Sequence, residues 1–183
     1  VRDAVLAASD AFPVWSALTL DERSGYLMSI AEEINSRLDE FSEFESRDTG
    51  KPLALARSLD IPRSISNFKF FADHAKDFKF ESDINSDIST NHISRFPLGV
   101  VCCISPWNLP LYLFTWKIAP ALVVGNTVVA KPSEITPYTA YLLGDVCSEI
   151  GLPPGVLNIV HGRGATTGDL LVKDENIKAI SFT

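Results

Sequence analysis

Hydrophobic positions in the first part of the chain repeat with a helical period. Thr19-Leu20-Asp21-Glu22 forms a capping box, in which a hydroxyl and a carboxylate satisfy opposite backbone N–H groups. Leu27, Ile30, Ala31, Ile34, Leu38, Phe41 and Phe44 follow at the spacing of one helix face, which predicts a single helix stopped at Gly50. A second helix is predicted from about Pro52, with Leu55, Leu59, Ile65, Phe68 and Phe71 inward and a kink or split at Pro62. Residues 82–95 are polar and partly alternating, as in an exposed strand or hairpin arm.

The rhythm changes at Leu98. Val100–Ile104 is a short unbroken apolar run, as in a strand covered on both faces. Residues 111–124 read as a buried helix. Strands at Thr127–Ala130, Val156–Val160 and Lys178–Phe182 then alternate with helices at Pro137–Ile150 and Ala165–Val172. Thr136 with Pro137 suits a helix start, and Gly151 suits a stop. Short strands alternating with helices imply right-handed crossovers and a parallel sheet of the α/β class. Ligands of such sheets lie beyond the carboxyl ends of the strands, so the loops 105–110, 131–136 and 161–165 are the ones to inspect.

Charge sharpens the division. Residues 1–95 hold 28 charged side chains and net −6, whereas residues 96–183 hold 11 and net −1. The first half is a set of solvated amphipathic helices, and the second is a buried core. The total of −7 excludes the broad basic surface that nucleic acid requires. Residues 96–116 carry no charge, but Pro97, Pro106 and Pro110 fit a strand, a turn and a buried helix better than a membrane span. The three cysteines, Cys102, Cys103 and Cys147, lie in apolar stretches without metal or disulfide spacing, as in a reduced cytoplasmic protein. The chain opens at Val1 and stops within the apolar run ending Ser181-Phe182-Thr183, so a piece of a longer protein is expected.

The first loop, Ser105-Pro106-Trp107-Asn108-Leu109-Pro110, fixes its backbone with two prolines around one carboxamide. An uncharged double N–H donor in a dry pocket suits an oxyanion; the alternative is an Asn bonded to its own turn. The second loop carries Lys131, Ser133 and Glu134. Lys131 and Glu134 together can grip sugar hydroxyls, and a carboxylate there disfavours a 2′-phosphate; the alternative is a plain ion pair. The third, His161-Gly162-Arg163-Gly164, turns the backbone tightly before a helix but lacks the dinucleotide glycine spacing. His161 reads as a packing or capping residue, and no metal-ligand cluster accompanies it.

In their order on successive strands these loops resemble the NAD(P)-dependent aldehyde dehydrogenase superfamily. The resemblance rests on Ile104-Ser105-Pro106-Trp107-Asn108, Trp116-Lys117-Ile118-Ala119-Pro120-Ala121-Leu122, Gly125-Asn126-Thr127-Val128-Val129, Lys131-Pro132-Ser133-Glu134, Gly151-Leu152-Pro153-Pro154-Gly155-Val156 and Ser181-Phe182-Thr183. Within it, Asp60-Ile61-Pro62-Arg63-Ser64, Asn67-Phe68-Lys69-Phe70-Phe71-Ala72 and Leu109-Pro110-Leu111-Tyr112-Leu113 are similar to enzymes acting on muconic semialdehydes.

That resemblance implies a Rossmann-like parallel sheet with flanking helices. Residues 1–81 would be the helical part of the cofactor domain, 82–97 an oligomerisation arm, and 98–183 an incomplete NAD-binding core. It implies oxidation of an aldehyde to an acid through a cysteine thioester, with NAD as cofactor. The implied substrate is a muconic-type semialdehyde such as 2-aminomuconate semialdehyde, and the implied assembly is a homodimer or homotetramer. Asn108 matches the oxyanion donor. Ile104, Ser105, Pro106 and Trp107 match the segment lining the cofactor, and Lys131, Ser133 and Glu134 match the adenosine-ribose grip. Gly164 matches a close approach near the adenine, and Phe182 opens the segment reaching the pyrophosphate. Trp116 matches a wall of the substrate tunnel, with a packed aromatic as its alternative. Arg63 suits capture of a substrate carboxylate, with a solvated surface arginine as its alternative. The nucleophile and general base of the family lie beyond this stretch, so residues 1–183 alone are expected to be inactive. A non-catalytic relative that kept the scaffold is the competing reading.

Overall fold

The computed structural model describes residues 1–183. Four parallel strands form the sheet, in the order β5-β4-β3-β6: β3 (Val100–Ile104), β4 (Thr127–Lys131), β5 (Leu157–Ile159) and β6 (Ile177–Phe182). The chain starts at β3, steps one way through β4 and β5, then returns to the other side of β3 for β6. The order therefore reverses between β3 and β6, and the crevice for ligands opens there, beyond the carboxyl ends.

Alternation along β3 and β4 divides the core. Val101, Cys103, Val128 and Ala130 face one side, where they join a cluster with Leu27, Ile34, Phe68, Phe114 and Leu143. That side is covered by α2 (Leu20–Ser36), α3 (Leu38–Thr49), α5 (Ile61–His74), α6 (Pro110–Val123) and α7 (Tyr138–Glu149). Val100, Cys102 and Val129 face the other side, against Val5, Ala8 and Leu171. These belong to α1 (Arg2–Ala17) and the short α8 (Asp169–Val172). Burial on both faces is why these strands read as continuous apolar runs rather than alternating ones.

The sequence leaves α1 unmarked, and its place is fixed by long-range bonds. Thr127 Oγ1 donates to the Ala8 carbonyl at 2.9 Å, and Trp15 Nε1 to the Leu122 carbonyl at 3.1 Å. The expected single helix from Leu20 to Gly50 is two, broken at Arg37, whose φ/ψ of −103/25 leaves the helical range. The break lets Phe41 turn into the same core as Ile34. Between α3 and α5 lie a single turn, α4 (Leu53–Leu55), and a wide turn at Ala56–Asp60, so Pro62 falls harmlessly in the first turn of α5. That wide turn also carries Leu55 and Leu59 outward; both are exposed, against expectation, while Ile65 and Phe68 are buried. The polar stretch forms the hairpin of β1 (Glu81–Asn85) and β2 (Thr90–Ser94), paired antiparallel. No helix is long and apolar enough to cross a membrane.

Thr136 does not cap α7 as its position suggests. Its hydroxyl is buried without a partner, and the cap position is Pro137. The free Tyr138 N–H is instead satisfied at 2.8 Å by Asp48 Oδ2 from the end of α3. Gly151 does end α7, with φ +71.

Candidate functional site

Three of the four strands deliver their loops to one rim. The Ser105 N–H donates to the Lys131 carbonyl at 3.2 Å, tying the loop after β3 to the end of β4. Lys131 is 2% exposed, so its ammonium needs partners. It donates to the Pro132 carbonyl at 3.0 Å and to Glu134 Oε2 at 3.2 Å. Glu134 Oε1 accepts the Gly164 N–H at 3.2 Å, which draws in the loop after β5. Its own backbone N–H, the Gly164 N–H and Lys131 together hold the Glu134 carboxyl below the usual carboxylate range. The result is an ionised, largely exposed carboxylate clasped between two loops, with lone pairs left for a ligand. Ser133 is buried and accepts the Ile135 N–H at 3.2 Å. Burial, and then the Lys131 charge, lower the pKa of His161 and favour the neutral ring.

Ile104, the last residue of β3, and Pro106 in the loop beyond it are half-buried, Trp107 is 58% exposed and Asn108 is exposed. Ser105 is 4% exposed, and its hydroxyl has no partner. Gly164 contributes its N–H; a Cβ there would meet nothing within 4 Å. The glycine this loop requires is Gly162, at φ +146, where a Cβ would run into the Thr167 side chain. Phe182, at the end of β6, is 74% exposed.

The two residues singled out for substrate lie on neighbouring helices. The Arg63 guanidinium on α5 sits over the Tyr112 ring of α6, 5.1 Å from its centroid. Trp116, one turn further along α6, is tilted against Tyr112 at 6.0 Å and edge-on to Phe71 at 5.7 Å. Trp116 is 47% exposed rather than packed away. It borders a cleft of about 450 Å³ shared with Phe71, Cys103, Lys117, Ile180 and Ser181. Lys117, within the Trp116–Leu122 motif on α6, is a further polar group at this cleft. It is 8% exposed, burial lowers its pKa, and its Nζ donates to the Thr183 hydroxyl across the β3–β6 crevice. An isolated lysine in an apolar helix was the available signal.

None of the cysteines is a nucleophile of the usual kind. Burial pushes the Cys102 thiol up to about 11, and those of Cys103 and Cys147 up to about 12. A thiol that far up is protonated at neutral pH and unreactive.

A sequence profile described as the aldehyde dehydrogenase family matches residues 1–183. The chain belongs to this family. Among relatives, the 2-aminomuconic semialdehyde dehydrogenase of Homo sapiens is 49% identical over 184 residues, covering 100% of this chain and 38% of the human protein. The 2-hydroxymuconic semialdehyde dehydrogenase of Pseudomonas sp. (strain CF600) is 47% identical over 174 residues, covering 92% of this chain and 36% of that protein. The crystal structure of PnpE from Pseudomonas sp. WBC-3 superposes with a TM-score of 0.92 at 42% identity, over 98% of this chain and 37% of its own. A second PnpE structure holds nicotinamide adenine dinucleotide. The chain thus spans a little over a third of the length of these aldehyde dehydrogenases.

Proposed function

We propose that this chain supplies the cofactor rim and the oxyanion donor of an NAD-dependent aldehyde dehydrogenase acting on a carboxylated semialdehyde. The clasp of Lys131, Glu134 and Gly164 at the carboxyl ends of β4 and β5 carries the reading. It presents a cation and an anion, held rigid, at the carboxyl ends of the strands, the edge of such a sheet at which ligands bind. The unpartnered, buried Ser105 hydroxyl beside it is a polar atom awaiting a ligand, so the residues present fit the cofactor. Glu134 would accept the hydroxyls of the adenosine ribose and repel a 2′-phosphate, favouring NAD over NADP. Bound NAD supplies the hydride acceptor.

The chain's own residues then do three things. Asn108 offers its amide N–H to the oxygen that becomes negative as a thiolate adds to the aldehyde carbon. Trp116 walls the approach, and Arg63 pairs with a carboxylate at the far end of the substrate. The thiolate and the water-activating carboxylate come from residues beyond this stretch, since the three thiols here are buried and protonated. A polypeptide of residues 1–183 alone is expected to form no NADH. The hairpin of β1 and β2, outside the core, is assigned to subunit assembly.

The test is kinetic, on the complete polypeptide that carries this chain. Asn108→Ala is expected to lower kcat by about 10²–10³ without changing the melting temperature. Arg63→Ala is expected to raise KM for a dicarboxylic semialdehyde and to leave KM for an uncharged aldehyde alone. Wild-type protein that binds NAD but oxidises no aldehyde would favour a non-catalytic relative instead.

A further inference from the structure

One buried carboxylate takes no part in that scheme. Glu45, near the end of α3, is 0% exposed. Its Oε2 accepts the Thr139 hydroxyl at 2.8 Å, in the first turn of α7. Its Oε1 has no well-formed partner, and the Leu111 N–H, in the first turn of α6, polarises the carboxylate from nearby. One turn on, Asp48 accepts the Tyr138 N–H at 2.8 Å. The same end of α3 therefore meets the N-termini of two helices.

Those helices are the ones that leave the two ligand loops. α6 begins two residues after Asn108, and α7 begins just after the loop of Lys131, Ser133 and Glu134. The first N–H groups of a helix have no partner within it and carry its positive end, so an acceptor placed there fixes where the helix starts. The position of each start sets the position of the loop before it. Two further charges face Glu45: Asp60, 1% exposed, and Lys51, which pairs with Asp60 at 3.0 Å.

We propose that Glu45 is a positioning residue that couples the oxyanion loop to the ribose loop, by anchoring the N-terminus of α7 to α3 through the Thr139 hydroxyl and by setting its carboxylate against the N-terminus of α6 at Leu111. It touches neither substrate nor cofactor; it acts through Leu111 on Asn108 and through Thr139 on Lys131 and Glu134. This rests on the roles given to those residues above.

The experiment uses the complete polypeptide and reads exchange and kinetics side by side. Glu45→Met fills a similar volume without an acceptor. It is expected to raise amide hydrogen exchange in residues 105–113 and 133–141 by about fivefold, the effect of losing one helix-capping acceptor. It is expected to lower kcat about tenfold or more through misplacement of Asn108. Glu45→Gln, which keeps an acceptor for Thr139, is expected to recover most of the loss. Uniformly faster exchange with a lower melting temperature and an unchanged kcat per folded molecule would make Glu45 merely structural and overturn the proposal. So would wild-type kinetics. If Glu45→Met does not fold, Thr139→Val carries the test, with a raised KM for the dinucleotide expected and an unchanged KM overturning it. Were the wild type to oxidise no aldehyde, the functional reading would fall, and exchange confined to the two segments would still decide the anchoring.

Discussion

Replacing Glu45 by Gln should change how stability depends on pH. Burial raises the Glu45 carboxyl from its ordinary 4.5 to about 7, and the Asp60 charge adds to this. The Thr139 hydroxyl, Lys51 and the Leu111 N–H act in the opposite direction and do not overcome it. Between these two values the native protein holds a proton that the unfolded chain has released. The free energy of unfolding therefore falls as pH rises through that window and levels off above it. At about 1.36 kcal/mol per tenfold change in the proton equilibrium, the loss attributable to Glu45 comes to about 3 kcal/mol. Glutamine does not titrate. Urea unfolding of the two proteins at a series of pH values should show the wild type losing about 3 kcal/mol relative to Glu45→Gln between pH 4.5 and 8. A difference that stays constant across the series would show that Glu45 is not held in a dry site, and would undo the reasoning.

Two further outcomes follow from single contacts. Glu134→Gln removes the carboxylate that holds Lys131 and the Gly164 N–H, and should raise KM for NAD about tenfold while narrowing the preference over NADP, as steady-state kinetics with both dinucleotides would show. Gly155→Ala forces a left-handed backbone, φ +85, and drives a Cβ into the Ala7 carbonyl oxygen of α1. It should cost about 3 kcal/mol by denaturant unfolding, with α1 the segment whose amides lose most protection.

The local patterns in this chain are strong where one residue's neighbours in sequence are also its neighbours in space. The capping box at Thr19 forms as written, with the Thr19 N–H donating to Glu22 Oε2 at 2.7 Å. The apolar runs from Val100 and Thr127 are buried strands because both faces are covered. The pairing of Lys131 is legible because an ammonium at the end of an apolar strand demands a partner, and Glu134 stands three residues away. The residue motifs of the loops, such as Ser105-Pro106-Trp107-Asn108 and Lys131-Pro132-Ser133-Glu134, taken in their order carry the resemblance to the family.

What the sequence could not carry are relations between distant residues. The cap of α7 comes from Asp48, ninety residues upstream, so the local signal at Thr136 misled. The break at Arg37 has no glycine or proline to announce it. The turn at Ala56–Asp60 rotates Leu55 and Leu59 out to solvent, which a constant helical period cannot foresee. Arg63 and Tyr112 meet only because α5 packs along α6. Glu45 looks like any other carboxylate on an acidic helix; only packing decides that it is sealed between three helices, where its charge is costly and its placement matters. Composition and periodicity determine which segments form and which of their faces seek the core, because those preferences are local. The partners of a buried charge are decided by the tertiary structure, because they are selected by proximity in space.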